Sequence, residues 1–425
     1  MPDQRGADLS GCDLRGLDLS GFLLADANLA GADLSGARLV RADLSSADLS
    51  GANLKHVDLS RAAASSASFK AANLERARLA GATLDDADLE GANLSRAALD
   101  GATLQGAKFG GADLSLASLS ECTLEDVDLS GASLVGANLR GAKLLGATVQ
   151  SATFARAILT GATLESIDLS ESSLEEAHLE RTTWSSCDLS RANLTAVNLR
   201  GARAKGTRFA GATLHRADLV GADLVGAVLD GADLSGAHLS GVSITRSSLR
   251  GVDLRGLSLD GACLTDDDLA SADLSGASLS GARLDRSDFT GARLAKARLT
   301  QAILVAATFT EAELDGADLS EVDATDACFE AASLVGSKLT RARLDNARLE
   351  RARAPHVNLS GVHARYADFS HADLDSAELR GADLTGANLH ATQLGGAHLA
   401  NAKVDGLRET DPELLAAERW VAPRD

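Results

Sequence analysis

The chain has 425 residues, with 60 acidic against 41 basic side chains and a formal net charge of −19. Such a balance argues against direct nucleic-acid binding, which needs a basic surface to neutralise phosphates. No stretch is apolar for long enough to cross a membrane and no charged segment leads into an apolar run at the N-terminus, so the expected location is cytoplasmic.

From Leu9 to Val404 an apolar residue, usually leucine, returns at every fifth position through 80 consecutive units without an insertion. The stretch Gly231-Ala232-Asp233-Leu234-Ser235 shows the unit: a small residue, a polar residue, then the central leucine. On a helix this spacing turns successive leucines by about 140°, so no apolar face forms. On a strand the alanine two before the leucine shares its face, but the next alanine, three residues on, faces outward. A corner must therefore intervene in every unit. Glycine commonly stands two residues after the leucine, as at Gly31, Gly51, Gly91 and Gly231, where its freedom to take positive φ suits a tight turn. The chain must coil with alanine and leucine inward, as an all-β fold.

In the first units Cys12, Leu17 and Phe22 replace the inward alanine; larger residues there either plug an open end or are simple packing variation. Central phenylalanines then recur in steps that are multiples of twenty, at Phe69, Phe109, Phe209, Phe289, Phe309, Phe329 and Phe369, with only Phe154 elsewhere. That bias implies a twenty-residue coil with four distinguishable sides. The central alanines Ala64, Ala204, Ala324 and Ala364 each precede one of these rings, as conserved packing volume requires. Cys12, Cys122 and Cys187 sit at inward positions and Cys263 and Cys328 one residue before the centre, which does not suggest a disulfide framework.

Units such as Ala32-Asp33-Leu34 and Ala382-Asp383-Leu384 resemble those of the pentapeptide repeat family, and the resemblance covers residues 5 to 406. It implies a right-handed quadrilateral β-helix of about twenty coils, roughly 96 Å long at about 4.8 Å per coil; the handedness rests on the resemblance alone. Residues 5–406 are expected to form one β-helix, and 407–425 a C-terminal helical cap or dimerisation segment.

Several residues break the pattern. Trp184 stands where leucine belongs, and a narrow core predicts that it displaces the local backbone or turns outward, as a distorted corner or a partner-docking aromatic. Asp267 occupies an inward position with Ser247 and Ser287 twenty residues to either side, which predicts a structural ladder in which two hydroxyls hydrogen-bond a buried acid. Lys338, Arg341, Arg343, Arg348, Arg351, Arg353 and Arg365 form a locally basic belt read as solvated surface. The spacing of His356, His363, His371, His390 and His398 places them at different corners, so no metal site is expected. After Val404 the pattern ends; Asp411 as N-cap and Pro412 as first helical residue start a short helix. Leu414, Leu415 and Trp420 either cover the last coil or pair two chains end to end, as C-terminal segments do in the topoisomerase-protecting members of the family that the chain resembles.

No phosphate-cradling loop, no nucleophile with a base and no metal-ligand spacing is found, so neither enzyme activity nor a cofactor is expected. What remains is a surface. Assigning outward residues to the four sides gives −6 for the side centred on Leu84, −8 for that of Leu89, −3 for that of Leu94 and +1 for that of Leu99. The first two sides are most acidic between Thr83 and Glu171, where Asp85, Asp86, Asp88, Glu90, Glu125, Asp126, Asp128, Glu165, Asp168 and Glu171 face Lys108 and Lys143. The resemblance implies a protein-binding role, and in some members an acidic rod that mimics DNA toward DNA gyrase or topoisomerase IV and protects against topoisomerase poisons. This chain is much longer than the antibiotic-resistance members and lacks the loops that project from some of their coils. The alternative is a general protein-interaction scaffold.

Overall fold

A computed structural model describes residues 3–418. The chain forms two compact units, Met1–Asp223 and Leu224–Asp425. Each is a parallel β-solenoid of the four-sided kind. The residue before each centre bridges the residue twenty positions on, as Asp33 does Asn53 in the first unit and Asp273 does Arg293 in the second. Four five-residue units thus close one coil.

The five backbone N–H groups of a unit explain why the sequence repeats as it does. The central Leu34 donates to Asn53 in the next coil at 2.8 Å, and the preceding Asp33 donates back to Cys12 at 2.9 Å. The corner Gly36 donates to Lys55 at 2.9 Å, and Ala37 closes a β-turn onto Leu34 at 2.9 Å. The fifth N–H, that of Ser35, has no backbone acceptor; the carboxylate of Asp33 takes it at 3.0 Å. Aspartate or asparagine before the leucine is therefore a turn-closing acceptor, repeated at Asp113 and Asp273. In some units that lack such a side chain an aspartate one coil earlier substitutes: Asp85 accepts from Gln105, whose own unit carries Thr103, and Asp260 accepts from Ser280, whose unit carries Ser278.

The corner residue has positive φ throughout, as a β-turn with a left-handed third residue demands. Glycine holds 38 of these corners, but 43 carry a side chain, and none of the 43 is valine, isoleucine or threonine, the residues for which this backbone region is most costly.

Alanine and leucine fill the interior. In the second unit Phe289, Phe309 and Phe329 stack with centroids 4.8 and 5.0 Å apart and planes within 5°, the spacing of one coil. In the first unit five consecutive coils extend one side into a parallel sheet of β1 (Thr123–Glu125), β2 (Lys143–Leu145), β3 (Thr163–Glu165), β4 (Thr183–Ser185) and β5 (Arg203–Lys205). Trp184, at the centre of β4, neither turns outward nor docks a partner: it is 1% exposed, its Nε1–H donates to Thr182 Oγ1 at 2.6 Å, and its register partner in β5 is Ala204. The volume missing at Ala204 admits the indole.

Of the two readings of Cys12, Leu17 and Phe22, a plug of the first coils or packing variation, the exposure of these residues fits the second. Leu17 is 46% exposed, and Cys12 and Phe22 remain half-buried. At the other end α1 (Pro412–Glu418) starts as expected, with Asp411 Oδ1 accepting from the N–H groups of Glu413 at 2.9 Å and Leu414 at 3.2 Å. Yet Leu414 is 49% exposed, Leu415 is half-buried, and Val404 of the last coil is 46% exposed, so among the described residues the helix does not cover the coil. A seven-residue helix fixed at its N-cap reaches the side of the coil rather than its open face. Trp420 lies outside the described residues. Among the described residues no helix is long and apolar enough to cross a membrane.

Candidate protein-binding site: the acidic ridge

The ten acidic residues singled out between Thr83 and Glu171 all lie in the first unit, on two adjacent sides of its coils, and they fall into three groups by what their carboxylates touch. Asp88, Asp128 and Asp168 close turns, accepting from the N–H of Glu90 at 3.0 Å, Ser130 at 2.9 Å and Ser170 at 2.9 Å. The bonds from Ser170 hold the Asp168 carboxyl below its ordinary range. Asp85 does the same work for Gln105. These four are charged, but the fold uses them.

Glu90 and Glu171 are ion-paired, with Lys70 at one end of the ridge and with Arg191 at 2.6 Å at the other. Counting those two partners together with Lys108 and Lys143 leaves six net negative charges, not eight. Over five coils of about 4.8 Å this is one charge per roughly 4 Å, slightly sparser than the one per 3.4 Å of a single DNA strand.

The third group is Asp86, Glu125, Asp126 and Glu165, all exposed and serving no turn. Glu125 and Glu165 project from β1 and β3, with Leu145 of β2 between them in register. Asp86 and Asp126 occupy left-handed corners, with φ of 58° and 53°. Each leans over a glycine corner of the following coil: a Cβ at Gly106 would lie 2.6 Å from Asp86 Oδ1, and one at Gly146 would lie 3.0 Å from Asp126 Oδ1. Glycine there leaves the carboxylates their place. These four side chains are two coils apart in pairs, about 10 Å. The sign of the face then reverses, since β5 presents Arg203 and Lys205.

The other anomalous residues are elsewhere. The basic belt is largely neutralised, with Arg341, Arg343, Arg351 and Arg365 paired to Glu321, Asp323, Glu350 and Asp383. Asp267 is 2% exposed, and its column is a ladder, but a backbone one rather than the expected hydroxyl–carboxyl one. Ser247 N–H donates to Asp267 Oδ1 at 2.8 Å, and Asp267 N–H donates to Ser287 Oγ at 3.1 Å, while Ser247 Oγ turns to the carbonyls of Leu224 and Thr245. Oδ2 has no partner, and burial pushes the carboxyl up to about 8. His371 and His390 are not at separate corners: a spacing of 19 residues puts their rings 5.5 Å apart on adjacent coils.

A solenoid whose interior is filled by its own repeat, with side chains displayed in straight columns outside, defines a class of binding rather than pocket-based proteins. The chain belongs to the pentapeptide repeat family: the family profile, pentapeptide repeats, matches residues 5–61, 65–170, 172–266 and 268–401. No catalytic family is indicated. A search of curated protein sequences returned no match. Among solved structures the chain is similar to HetL, a pentapeptide repeat protein involved in heterocyst differentiation regulation from the cyanobacterium Nostoc. The two are 30% identical, over 56% of this chain and 89% of HetL, with a TM-score of 0.22. It is also similar to a pentapeptide repeat protein from the thylakoid lumen of Arabidopsis thaliana, at 32% identity over 28% of this chain and 67% of that one, with a TM-score of 0.21. A third similar structure is QnrB1, a plasmid-mediated fluoroquinolone resistance protein, at 20% identity over 41% of this chain and 96% of QnrB1, with a TM-score of 0.22.

Proposed function

We propose that the chain is a non-catalytic, cytoplasmic protein-binding solenoid whose acidic ridge enters the DNA-binding groove of a type II topoisomerase, DNA gyrase or topoisomerase IV. The observation that carries this reading is the group Asp86, Glu125, Asp126 and Glu165: four exposed carboxylates, bound to no turn, set on a rigid ladder within a ridge whose net charge is only slightly sparser than that of one phosphate strand. A carboxylate carried on a backbone already fixed in space costs less to order on meeting a basic groove, which favours its use as a phosphate stand-in. Their removal also leaves the backbone bonds of the coil intact. Asp85, although acidic, is a poor test residue because Gln105 depends on it.

Reversing Asp86, Glu125, Asp126 and Glu165 to lysine is expected to abolish inhibition of gyrase supercoiling while preserving the circular dichroism and melting of the wild type. Inhibition undiminished in the folded variant overturns the reading. A second reading, a scaffold for other proteins without DNA mimicry, is favoured by the pairs Lys70–Glu90 and Arg191–Glu171, which close both ends of the ridge and limit its acidic length. The exposed Leu414 and the uncovered last coil further support a homodimer through the C-terminal segment. A sedimentation mass of one chain at high concentration would exclude it.

A further inference from the structure

We propose that His371, His390 and Glu418 form a binding site for a divalent transition-metal ion of the zinc class. The backbone builds the site. His371 is a corner residue with φ of 59°, and its N–H donates to the carbonyl of His390 at 2.9 Å, so the two imidazoles rise from adjacent coils. The cap at Asp411 then directs α1 so that Glu418, at its last turn, falls against both rings.

Glu418 Oε2 lies 3.3 Å from His371 Nε2 and 3.3 Å from His390 Nε2, and all three donor atoms lie within 4.8 Å of one another. Tetrahedral zinc, with metal–ligand bonds of about 2.0–2.1 Å, holds its ligand atoms roughly 3.4 Å apart. Two edges of the ligand triangle therefore already have the required length, and the third, between the two imidazoles and within 4.8 Å, closes by up to about 1.4 Å when the ion binds. Two imidazoles and one carboxylate are a donor set that zinc favours over calcium or magnesium. The surroundings favour a cation as well: Glu409 and Asp411 line the same groove as Glu418 against Arg408, while Glu350 there is paired with Arg351. His390 is 6% exposed, which screens one ligand from solvent.

The metal-free contacts also say what uptake requires. Asp411 N–H donates to His390 Nδ1 at 3.2 Å, which places the proton of the neutral ring on Nε2, toward Glu418. A metal at Nε2 needs that lone pair, so the proton moves to Nδ1 and the Asp411 contact is given up. Metal binding thus exchanges one hydrogen bond at the start of α1 for a bond from metal to carboxylate at its end, and tightens the hold of the helix on the coil.

The test titrates the full chain, stripped with chelator, with Zn2+ by calorimetry and with Co2+ by visible absorption. One ion per chain is expected, with ligand-field bands for Co2+ that Zn2+ displaces and a rise in melting temperature. H371A, H390A and E418Q are each expected to weaken Zn2+ binding by at least about tenfold. The pair His398–Glu378, 2.9 Å apart but without a third ligand among the described residues, is the control, and H398A should leave binding unchanged. The variants sit on the outside of the coil, and their metal-free circular dichroism verifies the fold. No Zn2+ binding, or binding that survives H371A combined with H390A, overturns the proposal.

Discussion

Trp184 and Ala204 are register partners in β4 and β5, so the indole, buried to 1% exposure, lies against the methyl side chain one coil on. Ala204 precedes Phe209 in its own coil, but its closer compensation is for the ring stacked on it.

Ala204→Leu should therefore cost about 1–3 kcal/mol by overpacking. Trp184→Leu alone should leave a void, and the two together should restore most of the loss. A double-mutant cycle in denaturant is expected to give a coupling of at least about 0.5 kcal/mol. Strict additivity would show that the two positions do not share volume.

Asp113 accepts the Ser115 N–H at 2.9 Å and so stands for the turn-closing aspartates. Asp113→Asn keeps an acceptor and should leave the melting temperature unchanged, whereas Asp113→Ala should lose about 0.5–1.5 kcal/mol. Asp86→Ala, which breaks no turn bond, should be neutral. Equal effects at Asp113 and Asp86 would mean that the carboxylates are interchangeable surface charge.

The buried Asp267 sets a pH dependence. Its carboxyl rises from 3.8 to about 8 on folding, because burial disfavours the charge and the Ser247 N–H only partly offsets it. Between pH 4 and 8 the folded chain keeps a proton that the unfolded chain has lost. Stability is then fully present below pH 4, falls as pH rises through that window, and levels off above pH 8. Asp267→Ser supplies a hydroxyl of the kind that accepts the preceding coil's N–H at Ser247 and Ser287, and should flatten this slope and stabilise the chain most at alkaline pH. Melting curves of the two proteins that stay parallel from pH 4 to 9 would refute the assignment.

Much of the fold was legible because the repeat imposes it. The twenty-residue spacing of Phe289, Phe309 and Phe329 anticipates their stack, and glycine two places after leucine anticipates the left-handed corner. Less legible were relations between coils. The fit of Trp184 depends on Ala204, twenty residues away, and was obscured by pairing Ala204 only with Phe209. The approach of His371 to His390 follows from the same arithmetic, since residues 19 apart fall on one corner of adjacent coils. The acidic ridge was visible as composition, but not its division into turn-closing, paired and free carboxylates, because an acceptor role at Asp85 appears only when the lack of one at Thr103 is read together with it. The failure of Leu414 to cover the last coil was not visible at all, since the direction of α1 depends on contacts such as that of Asp411 with His390.

The central claim, that the free carboxylates of the ridge stand in for DNA, is tested most directly by displacement of a fluorescent duplex from DNA gyrase, followed by anisotropy at low salt. The wild type should displace the duplex, with a potency that falls as salt rises and that is lost when Asp86, Glu125, Asp126 and Glu165 become lysine. Displacement that is absent at low salt, or equally strong in that folded variant, would contradict it.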